Sequence, residues 1–186
     1  MSANRLDFYS VFHAEADGFG VALSDDEVDR VSLLRDRGVV TEWTPVEFCI
    51  QHGEWEGRAG DFVNNDLGWR LCSLRMKDLL DGLLSDSDKI QWLPSFVTDL
   101  SGQRTKHYVL HFPETPDILN LDPDQTIYDE ESEVLIFPCI SLEKAAGYRI
   151  FNIRGLEIAT VVHASVKEAI EDAGMEGIDF HSIRQQ

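Results

Sequence analysis

Basic residues are scarce in this sequence, and their scarcity limits what the protein can bind. Its 186 residues include 16 lysines and arginines against 34 aspartates and glutamates, so the formal net charge is -18. Nucleic-acid binding requires a basic face that neutralises phosphates, and an anionic membrane surface attracts basic segments for the same reason. We therefore expect neither partner. The acidity favours a soluble chain and, among partners, a basic protein.

Cysteine is also rare, and long apolar runs are absent. The three cysteines, Cys49, Cys72 and Cys139, have apolar neighbours and lack the even number and regular spacing of a disulfide framework, which predicts reduced thiols in a core. No segment approaches the roughly 20 apolar residues of a membrane helix. The first residues lack the basic and apolar regions of a secretory signal peptide. These absences predict a cytoplasmic protein.

Motifs that mark catalytic or metal sites are missing as well. The sequence contains neither a nucleophile elbow nor a glycine-rich phosphate loop. His107 and His111 lie on a predicted strand, where four residues span roughly 13 Å, too far for one zinc ion; we expect exposed hairpin histidines. Residues 122–133 place oxygen-bearing side chains at calcium-loop positions, but Ile127 stands where that loop needs glycine. We expect no catalytic residue, no metal and no cofactor.

The most informative stretch is 61–84, where turn residues give way to a one-sided helix. Asparagine, aspartate and glycine between positions 64 and 68 favour turn conformations. Ser73 is placed to cap the helix, because its hydroxyl can accept from a free amide of the first turn. The apolar stripe of the helix consists of Met76, Leu79, Leu80, Leu83 and Leu84. The side chains expected to be buried are those of Leu79, Leu80, Leu83 and, in a later helix, Ile170.

Short strands surround this helix and a second one. Strand-like composition predicts strands at 6–12, 39–40, 46–50, 90–98, 107–112, 134–137, 148–153, 156–162 and 177–180. Pro94 lacks an N–H and is expected to confine its strand to a sheet edge or a bulge. Ser-x-x-Glu patterns predict helices at 24–37 and 165–173, with Ser165 capping the latter. The helices at 74–84 and 165–173 resemble each other, and we attribute the likeness to helix periodicity alone.

These elements predict an α+β fold. We expect a hairpin-rich, mostly antiparallel sheet with two or three short amphipathic helices packed on it. No linker rich in proline or serine divides the chain, so residues 1–186 are expected to form a single domain.

An acidic cluster occupies a predicted loop in the second half of the chain. It consists of Asp129, Glu130, Glu131 and Glu133. These residues have no evident role in a core, and loops commonly carry binding residues, so the cluster is our candidate for binding a partner. The alternative is a loop that contacts only solvent.

The chain resembles the immunity-protein family eleven of bacterial polymorphic toxin systems, formerly a domain of unknown function. The residues that carry the resemblance are Asp61-Phe62, 68–73 with Arg75, Lys77 and Leu80, Trp92-Leu93-Pro94, Asn120-Leu121-Asp122, Tyr148-Arg149-Ile150-Phe151 and Gly177-Ile178-Asp179-Phe180. It is best over 61–186 and looser over 1–60. His163 departs from the pattern, because a helix-starting serine is expected there.

The resemblance implies a non-enzymatic antitoxin that binds and neutralises a cognate toxin encoded by an adjacent gene. It identifies no toxin-contact residues. Two alternatives from other classes stay open: a small hydrolase or transferase with an unrecognised site, and an adaptor protein of a secretion system. A conserved polar pocket in the solved fold would favour the enzyme, whereas a toxic neighbouring gene would favour the antitoxin.

Overall fold

The computed structural model describes residues 7–14, 18–24, 38–52, 56–122, 126–129 and 134–186. Residues 25–37 of the helix predicted at 24–37 lie outside these ranges. No helix in the described part of the chain is long and apolar enough to cross a membrane.

Within these ranges the protein is mostly sheet, with three helices, which agrees with the predicted α+β class. The strands are β1 (Phe8–His13), β2 (Ala22–Ser24), β3 (Glu47–Ile50), β4 (Phe62–Val63), β5 (Leu71–Ser73), β6 (Gln91–Thr98), β7 (Arg104–His111), β8 (Ile127–Asp129), β9 (Val134–Phe137), β10 (Cys139–Ile140), β11 (Ile150–Ile153), β12 (Leu156–His163), β13 (Ile178–Ser182) and β14 (Arg184–Gln185). The helices are α1 (Leu74–Asp81), α2 (Leu142–Ala145) and α3 (Ala164–Asp172).

The first sheet has six strands in the order β2-β3-β6-β7-β5-β4. Only β3 and β6 run parallel, and the other neighbours are antiparallel. The sheet curls until its edges meet, because the Ala22 N–H donates to Asn64 O (2.9 Å) and the Asp66 N–H donates to Ala22 O (3.2 Å). An apolar cluster that includes Phe48, Trp69, Leu71, Leu93 and Val109 packs together in this half.

The second sheet has four antiparallel strands in the order β11-β12-β1-β13. Just beyond β13, β14 pairs in parallel with β10, and the Gln186 N–H donates to Ile140 O (2.9 Å). A separate apolar cluster packs on this side and includes Phe8, Ile118, Ile140, Phe151 and Val161. The hairpin of β8 and β9 is paired apart from both sheets.

The two sheets repeat one arrangement. From one edge, the strand order of the first sheet is β4-β5-β7-β6-β3. The corresponding order in the second sheet is β11-β12-β1-β13, and the chain continues from β13 into β14, which pairs with β10. Corresponding neighbours have the same parallel or antiparallel sense. The registers agree as well, and matched residues include Phe62 and Ile150, Cys72 and Val162, Tyr108 and Tyr9, Trp92 and Phe180, and Phe48 and Ile140. The likeness of α1 and α3 is therefore part of an internal duplication, and attributing it to helix periodicity alone was wrong.

The first half of the chain runs from β1 to β6 and the second from β7 to β14. The first strand of each half pairs in the sheet formed by the other half. β1 pairs with β12 and β13, which lie at the far end of the sequence, whereas β7 pairs with β5 and β6. The sheet formed by the second half is thus completed by residues from the N-terminus. The two halves are interlocked and cannot separate without breaking a sheet.

The matched lysines of α1 and α3 have matched surroundings. Lys77 Nζ lies 2.6 Å from an Asp81 carboxylate oxygen, and Lys167 Nζ lies 2.6 Å from Glu171. Lys77 also lies over the rings of Trp92 and Tyr108, and Lys167 over Phe180 and Tyr9, the residues that correspond to them. Agreement at this level extends the duplication from backbone register to side-chain packing.

The central core lies where α1 and α3 pack between the sheets. Met76, Leu80, Val166 and Ile170 are buried, as predicted for Leu80 and Ile170, whereas Leu79 and Leu83 are only partly buried. The helix begins as predicted after Ser73, whose hydroxyl accepts from the Met76 N–H (3.1 Å).

The cap of α3 differs from the prediction. Ser165 lies inside the helix, and His163 is the N-cap, with its Nδ1 accepting from the Ser165 N–H (3.1 Å). An unprotonated imidazole nitrogen supplies the acceptor that a serine hydroxyl would supply at this position. Burial lowers the pKa of His163, which favours the unprotonated state that the cap requires.

Two predictions about strands were wrong, one for the strand that contains Pro94 and one for residues 39–40. β6 lies inside the first sheet, but β3 pairs only with its last residues, so the missing N–H of Pro94 faces no neighbouring strand. Residues 39–40 form no strand, because the Gln91 side-chain amide satisfies the backbone of Val40, accepting from its N–H (2.9 Å) and donating to its carbonyl (2.8 Å). A long-range side-chain contact of this kind leaves no mark in local composition.

The loop after each helix is bonded to the strand that starts the opposite sheet. After α1, the buried Asp88 carboxylate accepts from the N–H groups of Arg149 (2.8 Å) and Ile150 (3.1 Å). After α3, the Glu176 carbonyl accepts from the N–H groups of Asp61 (2.8 Å) and Phe62 (3.1 Å). These crossed bonds tie the two halves together around the helices.

His13 should make stability fall as the pH falls. Its ring stacks on Phe62 at 4.5 Å, and burial lowers its pKa from 6.5 to about 4. The unfolded chain takes up a proton near pH 6.5, whereas the folded chain does so only near pH 4, so stability is lost between these values, by on the order of 3 kcal/mol. We expect His13→Phe, which introduces the residue found at the matched position Phe112, to remove this loss. Urea unfolding at pH 7 and pH 4.5 measures it, and equal pH dependence in both proteins would contradict the prediction.

Candidate partner-binding surface

Among the described residues, His163 Nδ1 lies 2.8 Å from Ser165 Oγ at the start of α3, where the same nitrogen caps the helix. No three side chains of histidine, cysteine, aspartate or glutamate in that part of the chain lie close enough to hold a metal ion. A surface pocket between the loop at 87–89 and the segment 112–116 carries Lys89 and Glu114 as its charged groups, and no histidine or cysteine is among the described residues that line it. The hydroxyl groups that line this pocket belong to Ser87, Thr115 and Tyr148.

The two histidines of β7 are buried, so the prediction that they are exposed was wrong. His107 is 5% exposed and His111 is 4% exposed. The Nε2 of His111 lies 2.9 Å from the carbonyl oxygen of Gly38, so the segment at 38–40 covers this end of the first sheet. Burial lowers the pKa of His107, which keeps its ring neutral.

The acidic cluster falls at the tip of the β8–β9 hairpin. Asp129 is the last residue of β8 and pairs with Val134 at the start of β9, so residues 130–133 connect the two strands. Glu130, Glu131 and Glu133 lie outside the described residues.

The hairpin base carries exposed apolar side chains. Leu121 is 69% exposed and Phe137 is 53% exposed. The Asn120 N–H donates to Cys139 O (2.9 Å), which brings the chain at 120–122 alongside the end of β9. Asp122 beside them is exposed too. Large apolar side chains outside a core are characteristic of binding surfaces when they occur together with charges.

A second exposed group lies at the same end of the second sheet. The Leu135 N–H of the hairpin approaches Gly155 O (3.5 Å), and Gly155 precedes β12, whose early residues lie opposite the end of β1. There Phe12 is 49% exposed and packs against His181, with ring centroids 4.8 Å apart. Asp179 lies opposite Phe12 in the register and is exposed.

We call these two groups together the hairpin surface. Its described members are Phe12, Leu121, Asp122, Phe137, Asp179 and His181. Sequence reasoning selected Asp129 and its acidic neighbours. It missed Phe12 and Phe137, which lie in predicted strands, and Leu121, which lies between predicted strands. Phe12 lies four residues after Phe8 in β1, so strand alternation places both side chains on one face of the sheet. Phe12 lies beyond the residues that cover Phe8 on that face.

Comparison with protein families gives one match. A family model described as an immunity protein family (Imm11) matches residues 29–185, nearly the whole chain. No curated protein matches the sequence.

Proposed function

The chain belongs to the immunity protein family Imm11, and on that premise we propose that it is a non-enzymatic antitoxin that binds and neutralises a cognate bacterial toxin. The family match is the observation that carries this proposal. The net charge of -18 and the exposed apolar side chains of the hairpin surface support it. We propose that the toxin is encoded by an adjacent gene and that the complex forms in the cytoplasm.

The proposed mechanism is steric blocking assisted by charge. An acidic surface attracts a basic toxin and accelerates encounter, whereas buried aromatic contacts slow dissociation. Phe12 and Phe137 are the aromatic side chains suited to such contacts, and Asp122 and Asp179 are exposed acidic residues of the same surface. The interlocked strands β1 and β7 support the proposal that residues 1–186 act as one rigid domain.

Co-expression with the product of the adjacent gene tests the function directly. We expect the chain to rescue growth of cells that make this product and to co-purify with it. The Trp69 side chain is 1% exposed, so Trp69→Asp places a charge in the core and should unfold the protein. This variant should give no rescue and serves as the negative control. Failure of the folded chain both to rescue and to bind would contradict the proposal.

Charge reversal tests the acidic cluster. Changing Asp129, Glu130, Glu131 and Glu133 to lysine should slow association with the toxin about tenfold or more at low salt while leaving dissociation nearly unchanged. The defect should shrink as salt rises, because charges are screened over about 8–10 Å at ordinary ionic strength. Stopped-flow or surface-binding kinetics at several salt concentrations measure it.

A matched control separates local from global charge. Reversing Asp78, Asp86, Glu168 and Asp172, which are exposed on or just after α1 and α3, changes the net charge by the same amount. Only the cluster variant should slow association strongly. If both variants slow it equally, net charge rather than the hairpin steers the encounter.

A further inference from the structure

The strand β13 has one open edge. Its five residues, Ile178–Ser182, pair with β1 on one side, and no other described strand pairs with them on the other. All five are exposed or only half-buried. The backbone groups along this edge therefore lack the ladder partners that a strand inside a sheet would have.

Alternation along the strand identifies which groups face outward. The Gly177 carbonyl accepts from the Ala14 N–H (3.1 Å), so residue 177 faces β1. In an antiparallel pair this direction alternates, so Asp179 and His181 also face β1, whereas the N–H and C=O groups of Phe180 and Ser182 face away. No described backbone group bonds the outward groups of those two residues.

The duplication shows what the matched edge of the first sheet holds. There the chain's own segment at 40–46 runs along β6. Val40 is bonded to the Gln91 side chain, the Trp43 indole N–H donates to Pro94 O (2.7 Å), and the Phe96 N–H donates to Val46 O (3.1 Å). This segment thus runs parallel to the strand and covers its edge, through side-chain bonds at Gln91 and Pro94 and a backbone bond at Phe96.

The second sheet receives the matching segment only at its far end. β10 pairs with β14 there, as β3 pairs with the end of β6. The preceding strand β9 pairs instead with β8 and leaves the edge of β13 uncovered within the described residues. Among the residues that the structure describes, the same architecture therefore contains one edge that the chain covers itself and one matched edge that it leaves open.

The side chains beside the open edge indicate what it would take. On one face of the sheet, Asp179 and His181 are exposed, and the ring of Phe12 packs at a tilt against His181. A segment added here would place its side chains next to a carboxylate and next to an aromatic pair. Basic and apolar residues at alternate positions match these neighbours.

We propose that β13 is the edge at which the toxin docks, by adding an extended segment parallel to β13 that carries a basic residue beside Asp179 and an apolar residue beside Phe12 and His181. This inference rests on the proposed function and names its interface. The segment would form backbone hydrogen bonds with Phe180 and Ser182, whereas the chain at 40–46 reaches Pro94, the match of Ser182, through the Trp43 side chain.

Amide hydrogen exchange in the complex with the adjacent gene's product tests the proposal without any variant. In the free chain the amides of Phe180 and Ser182 should exchange fast, and those of Asp179 and His181 slowly, because only the latter pair face β1. On binding, exchange at Phe180 and Ser182 should slow at least about tenfold. A complex that forms without this protection would overturn the edge but leave the antitoxin function standing.

A proline variant gives an independent test. Ser182 corresponds to Pro94 of β6, so Ser182→Pro introduces a residue that the matched strand already accommodates, and proline is tolerated where its missing N–H faces outward. It removes one outward donor and blocks the added segment, and we expect about a tenfold or larger loss of affinity for the toxin. The matched control Ser182→Ala keeps the N–H and should bind like the wild type.

The outcomes separate the two proposals. If the wild-type chain does not bind the adjacent gene's product, the proposed function fails and the edge inference fails with it. If Ser182→Pro folds and binds as tightly as Ser182→Ala, only the edge inference fails. If Phe180 and Ser182 become protected at high concentration of the chain alone, the edge takes a second copy, and docking of the toxin there is wrong.

Discussion

Replacing Asp88 by alanine should lower the free energy of unfolding by about 3–5 kcal/mol, although the residue lies in a loop. Its buried carboxylate accepts from the N–H groups of Ser85 (2.7 Å), Arg149 (2.8 Å) and Ile150 (3.1 Å). Alanine leaves these donors without a partner in a site that water reaches poorly, and each buried unsatisfied donor costs about 1–3 kcal/mol. The loss would also loosen the contact between the two halves, since Ser85 follows α1 and Arg149 precedes β11.

Asparagine at position 88 provides the matched comparison. The oxygen that accepts from Arg149 and Ile150 can be kept, whereas the oxygen facing the Ser85 N–H becomes an NH2 group. We therefore expect Asp88→Asn to cost less than Asp88→Ala but more than a surface change. Urea unfolding at neutral pH measures both. A cost below about 1 kcal/mol for alanine would show that the carboxylate does not hold the halves together.

Shortening Leu80 to alanine should cost about 2–5 kcal/mol, because the change leaves a cavity in the central core. Leu80 is 5% exposed and packs in the cluster that joins α1, α3 and both sheets. Its counterpart Ile170, which is 2% exposed, should give a similar loss on truncation to alanine. The two residues belong to one cluster, so the double variant should depart from additivity.

The same helix offers graded controls. Replacing the partly buried Leu79 by alanine should lower the free energy of unfolding less than replacing Leu80 does. Leu74 is 49% exposed, and its replacement by alanine should change the free energy of unfolding by no more than about 0.5 kcal/mol. The order Leu80, Leu79, Leu74 should appear in urea midpoints at unchanged slope. Equal losses at Leu80 and Leu74 would show that α1 does not face the core as described.

Local chemistry in the sequence determined the elements that depend on neighbouring residues. The apolar stripe and the hydroxyl of Ser73 specify α1 within one turn, because helix periodicity and capping involve residues three or four apart. The hairpins of β6 with β7 and of β11 with β12 follow from turn residues between strand-like runs. Burial of Leu80 and Ile170 follows from the same periodicity.

The sequence also marked the acidic cluster, since like charges in a predicted loop need no tertiary information to be noticed. It could not show that Phe12, Leu121 and Phe137 are exposed near it. Exposure depends on which distant segments cover a strand, and the composition of a strand is the same whether it is covered or open. For the same reason the buried histidines of β7 were expected at the surface.

Only the tertiary structure decided how the strands pair. The exchange of β1 and β7, the interior position of Pro94 and the open edge of β13 all depend on contacts between residues far apart in the chain. Strand pairing uses backbone groups that every residue has, so a strand's sequence specifies its two faces but not its neighbours. The duplication was hidden for the same reason: the matched halves share registers and burial more than residue types, and registers exist only once the chain has folded.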